Sequence, residues 1–171
     1  MKLTLRRDKP PTAIHVQAGE KVLAWCQSSD GRVAAGTRDA FYLVGPEPDE
    51  VRRVPWEQVE SADWQADTST FRLLEVGSWG RPRGIHELDV PDPRLLPELV
   101  RERVTASVVL QRHVPVSGRR GVRVIARRAP RGDSPIFWVY EFDEGIDPED
   151  PQVRSLAEQA LADLQDEVGL D

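Results

Sequence analysis

From Gly19 to Val90 the chain is a series of short β-rich runs separated by turn signals, repeating roughly every 8–12 residues. That rhythm limits this stretch to an antiparallel sandwich or an open barrel, because each run is too short for a periodic helix and too closely spaced for a crossover. The runs are 21–27, 32–37, 40–44, 51–56, 61–65, 70–75 and 84–90. Ser28-Ser29-Asp30-Gly31 separates the first two with an Asp-Gly hairpin signal. Pro46 and Pro48 force 45–50 into a loop, since proline cannot donate to a sheet ladder. Three glycines and one proline make 77–84 a second loop. Residues 1–18, which contain Pro10-Pro11 and no clear periodicity, read as an arm.

At Pro91 the pattern changes. Asp92-Pro93 reads as a helix cap followed by proline at the first helical position. Leu96, Val100, Val104 and Val108 then form one helical stripe, which favours a helix through about Gln111. The same stretch also alternates apolar and polar side chains from Val104 to Gln111, so the alternative makes 105–113 a further strand. Two β-rich runs, 121–128 and 136–142, follow as a hairpin with a longer loop. Asp150-Pro151 announces a last helix, with Val153, Leu156, Ala157, Ala160, Leu161, Leu164 and Val168 at helical spacing and Gly169 as its stop.

Charge is distributed in blocks. Residues 112–132 hold seven arginines and no acid, and residues 133–171 hold twelve acids and one arginine. A hairpin register that sets Arg128 opposite Ile136 also sets Arg123 opposite Glu141 and Arg120 opposite Glu144, and brings Val122, Val124 and Ala126 against Phe142, Tyr140 and Trp138. Cross-strand pairs of opposite charge contribute roughly 0.2–1 kcal/mol each. This pairing explains both blocks and leaves Arg127, Arg128 and Arg131 as unneutralised cations near the loop tip. A second candidate surface is the 77–84 loop, where Trp79 stands beside Arg81 and Arg83.

Catalytic patterns are sparse. There is no glycine-rich phosphate loop, and Gly77-Ser78-Trp79-Gly80 is one residue short of a nucleophile elbow. His15, His86 and His113 are far apart, the single Cys26 lies in an apolar run, and the acids of 141–150 lack calcium-loop spacing. We therefore expect no enzyme, no metal and no cofactor. The acids around Asp147 and Asp150 fit a helix N-terminus instead, where negative charge is favoured. The lone cysteine excludes an intramolecular disulfide. No apolar run approaches the ~20 residues of a bilayer span, and the N-terminus lacks a secretory pattern, so the expected location is cytoplasmic. A pI of about 5.2 weighs against a dedicated nucleic-acid binder.

Three segments carry a resemblance: Gly19-Glu20-Lys21-Val22-Leu23, Thr37-Arg38-Asp39-Ala40-Phe41-Tyr42-Leu43, and Arg53-Val54-Pro55-Trp56-Glu57-Gln58-Val59. Over residues 19–112 their order resembles bacterial PH-like domains of the pleckstrin-homology and GRAM kind. The whole chain is similar to an actinobacterial family in which this unit precedes a hairpin and a helix. The resemblance implies an α+β protein with an antiparallel seven-stranded barrel closed by a helix, followed by a β-hairpin and a C-terminal amphipathic helix in 113–171, packed on the barrel. It also implies a binding scaffold, whose foremost expected partner is another protein. An anionic lipid or nucleic-acid surface met by the arginine-bearing hairpin, and a small molecule in the barrel mouth, are the alternatives. The exposed hairpin edge also allows a homodimer. Trp79, Arg81, Arg83, Arg127, Arg128 and Arg131 are the candidate binding residues.

Overall fold

The computed structural model describes residues 9–10, 14–47, 49–77 and 83–169. It is α+β, with two α-helices and three antiparallel sheets, and it divides into compact units at Val104/Thr105.

The first unit holds seven strands in two sheets. One has the order β1 (Ala24–Gln27), β2 (Val33–Gly36), β3 (Ala40–Val44) and β4 (Val51–Pro55), and the other β5 (Val59–Gln65), β6 (Thr70–Glu75) and β7 (Ile85–Asp89). Among the described residues neither sheet closes into a barrel by ladder pairing. The expected seven strands are present and the expected closure is not. A backbone bond from Ser29 N to Asp89 O joins the β1–β2 turn to the end of β7.

Both sheets and helix α1 (Leu96–Ser107) contribute to one core: Cys26, Phe41, Val54, Trp56, Phe71, Leu73, Leu88, Leu96 and Val100. Trp56 sits in a 3-10 turn between the sheets rather than in a strand, and its indole N–H donates to Thr37 O at 3.0 Å. Phe41 meets it edge-on at 6.4 Å and stacks on Phe71 at 6.1 Å. Glycine at 36 is a packing requirement. A Cβ there would stand 2.6 Å from Leu99 Cδ2 and 3.2 Å from the Trp56 ring. Cys26 is fully buried, and burial pushes its thiol up to about 12, so it behaves as an apolar residue.

Helix α1 departs from expectation at both ends. Arg94 adopts φ +52°, which is incompatible with a helix, and the Asp92 carboxylate accepts from Arg94 N in a turn. Asp92 is therefore not the cap, and the helix starts at Leu96. At the other end it stops at Ser107, and Val108–Ser117 forms strand β8. The strand reading wins because β9 (Arg120–Arg127) needs a partner on its second side; Val122, Val124, Ile125 and Ala126 are buried.

The second unit is the sheet β10-β9-β8, with β10 at Phe137–Phe142. The predicted hairpin thus supplies two strands of a three-stranded sheet, with β9 central and β10 at one edge. Its register places Arg123 opposite Glu141, and Val122, Val124 and Ala126 opposite Phe142, Tyr140 and Trp138, as the charge pattern requires. Helix α2 (Pro151–Val168) lays Ala160, Leu161 and Leu164 on Val124, Leu110, Val114, Trp138 and Tyr140. Its ends follow the sequence. Asp150 accepts from Gln152 N, Pro151 opens the helix, and Gly169 at φ +69° supplies the left-handed stop.

Candidate recognition surfaces

The described ends of the 77–84 segment, Gly77 and residues 83–84, are flanked by paired charges. β6 ends on Glu75 and β7 begins at Ile85, so both strands direct polar side chains to the root of the loop. Arg83 Nη1 donates to Glu60 at 2.7 Å. Glu75 receives two side chains at once: Arg52 Nη2 from β4 at 2.7 Å and the His86 ring from β7 at 2.7 Å. Burial pushes the Glu75 carboxyl up, but the Arg52 and His86 hydrogen bonds outweigh it and hold the group below the usual carboxylate range. Arg83 is therefore a tethered cation at the edge of this loop. Trp79 and Arg81 lie outside the described residues.

The second surface is the β9–β10 connection, and here the structure corrects the sequence reading. Arg127 is 2% exposed and does not stand at the loop tip. Its Nη1 donates to the Ser107 hydroxyl at 3.0 Å, and its Nη2 lies 3.6 Å from Glu141. It is a buried cation pairing the end of α1 to β9 and β10. Arg128 is exposed, and its backbone N–H bonds Ser107 O. Arg131 is also exposed.

Two more arginines of the block pair with carboxylates of the following block, and a third, Arg120, meets a backbone carbonyl there. Arg123 pairs with Glu141 at 3.4 Å, Arg112 with Glu167, and Arg120 donates to Glu144 O at 3.3 Å. His113 contacts Asp143 at 2.9 Å, and Asp143 also accepts from Gly121 N at 2.8 Å. These two contacts, the histidine's first, lower the Asp143 pKa. Among the described residues no group of three or more His, Cys, Asp or Glu is arranged to hold a metal.

The interior between the two sheets of the first unit is filled by Trp56, Phe41, Phe71, Leu73 and Leu88. A groove of about 390 Å3 lies elsewhere, between Arg32 and the β3–β4 hairpin, lined by Leu43, Glu50, Val51 and Arg52 among others.

Sequence reasoning missed one polar centre altogether. Glu20 has a side chain only 5% exposed, and it is surrounded by donors from Thr37, Tyr42 and Arg53. Its partners are 17, 22 and 33 residues away in the chain, so no local spacing announces the cluster.

Comparison with protein-family models, curated proteins and solved structures returned no match to this chain. No helix in the described residues is long and apolar enough to cross a membrane.

Proposed function

We propose that the chain is a non-catalytic cytoplasmic recognition protein built on a PH-like module, and that its partner is another protein. The PH-like reading draws support from the strand order, four then three, with a helix after the seventh and a core shared by all three layers. The observation that carries the choice of partner is the internal matching of the arginine block. Arg112, Arg123 and Arg127 each face a carboxylate of the same unit. A surface made for phosphates keeps its cations for the ligand, and the salt dependence of binding counts how many it commits. A mixed surface with a few exposed arginines is the composition that protein interfaces use.

The matching makes a measurable prediction. Binding to phosphatidylcholine vesicles, with and without phosphatidylglycerol, is expected to be weak and equal across a salt series. Tight binding to the anionic vesicles alone, falling steeply with salt, would replace this reading with the anionic-surface one.

A further inference from the structure

The Glu20 carboxylate occupies a site that the first sheet builds without it. Tyr42 O–H donates to Oε2 at 2.8 Å and Thr37 Oγ1 donates to the same oxygen at 2.8 Å. Arg53 places Nη2 2.6 Å and Nε 3.1 Å from Oε1. The two hydroxyls are aimed by the sheet. Thr37 Oγ1 accepts from Asp39 N and Ala40 N, both at 3.1 Å, and the Tyr42 oxygen accepts from Arg53 Nε at 3.1 Å. The Tyr42 proton is thereby directed at the carboxylate, and Thr37 Oγ1 lies closer to the carboxylate, at 2.8 Å, than to its other acceptor, Ala40 O, at 3.2 Å. Thr37 and Tyr42 are buried, so the donors are held in place by packing.

The segment that delivers Glu20 is attached lightly. Residues 14–22 form no strand. Among the described residues their backbone bonds the sheet once, from Gln17 N to the Tyr42 oxygen, before Leu23 N reaches Gly36 O. Ile14, Val16 and Val22 are only partly buried, against Ala35, Ala40 and Tyr42. The segment is a strap: an extended piece with apolar contacts and one deeply buried acid.

We propose that Thr37, Tyr42 and Arg53 form a carboxylate receptor, filled in cis by Glu20 and filled in trans by an extended, Glu-bearing segment of a partner protein that displaces residues 14–22. This rests on the protein-recognition reading and names the kind of partner. Charge complementarity selects the occupant: one guanidinium and two aimed hydroxyls converge on a single anionic fork, a geometry that suits a planar carboxylate. The flanking apolar positions select an extended chain with the pattern of the strap itself. In the free protein the strap competes as an intramolecular ligand, with an effective concentration on the order of millimolar for a short tether.

The test uses the full chain carrying Glu20→Ala and a labelled peptide with the sequence of residues 14–23. The peptide is expected to bind this variant at least about ten-fold more tightly than it binds the wild type, whose receptor is filled. A peptide with Gln in place of its Glu should lose at least about ten-fold, and adding Arg53→Met to the variant should remove the difference between the two peptides. Equal binding of the Glu and Gln peptides, or equal binding to variant and wild type, overturns the receptor. So does a Glu20→Ala chain without a cooperative melt, because the strap is then part of the core and not a removable occupant. The peptide assay reads the receptor alone. If it fails while a cellular partner is still captured through other surfaces, protein recognition stands and the receptor falls.

Discussion

Trp56→Ala is expected to destabilise the protein by about 3–5 kcal/mol, the range for truncating a large buried aromatic. Trp56 is fully buried where the two sheets and α1 meet. Its loss removes the edge-on contact with Phe41, opens the space beside Gly36, and leaves Thr37 O without its indole donor. Trp56→Phe separates these terms. It keeps a ring in the cavity and loses the hydrogen bond, so it should cost less than the alanine variant yet more than the bond's net worth of roughly 1 kcal/mol. Urea unfolding of both variants measures this. A loss below about 1 kcal/mol for the alanine variant would mean that the sheets do not share the core described here.

Arg127→Ala carries the second large effect. Truncating Arg127 removes a charge-assisted hydrogen bond to the buried Ser107 hydroxyl, a loss of roughly 1.5–3 kcal/mol, and the packing of a buried side chain besides. Glu141 would keep Arg123, at 3.4 Å, while the buried Ser107 hydroxyl would lose the bond from Arg127 Nη1. Arg127→Met, which restores most of the volume, should still be clearly destabilising. Adding Ser107→Ala to it should cost less than the two single changes summed, the signature of a shared interaction. An Arg127→Ala protein within about 0.5 kcal/mol of wild type would return Arg127 to the surface role expected from sequence.

The contrast between Arg123 and Arg127 shows what the sequence could reveal. The register between β9 and β10 was legible because the apolar alternation of 122, 124 and 126 and the Arg123–Glu141 match demand the same offset. Helix α2 was legible because Asp150, Pro151 and Gly169 punctuate a regular apolar stripe. The burial of Arg127 was not, since its partner Ser107 is 20 residues away at the end of another element. The end of α1 was ambiguous for a related reason. Val104 to Gln111 satisfies helical and strand periods together, and only the need of β9 for a second neighbour decides between them. The Glu20 centre was invisible for the same cause on a larger scale, since three strands or turns must fold before its donors converge. Local punctuation is written in the chain, whereas polar convergence is a product of tertiary structure.

The proposed protein recognition is assigned to the 77–84 segment and the exposed Arg128, and not to the buried Arg127. The direct measurement is capture from a lysate of the source organism by the wild type beside a Trp79/Arg83/Arg128 triple variant, with Arg127 left in place because it is buried. The expected result is a protein that wild type retains through a high-salt wash and that the folded triple variant loses. Equal retention by both chains, or retention of nucleic acid and lipid alone with release by salt, would contradict it.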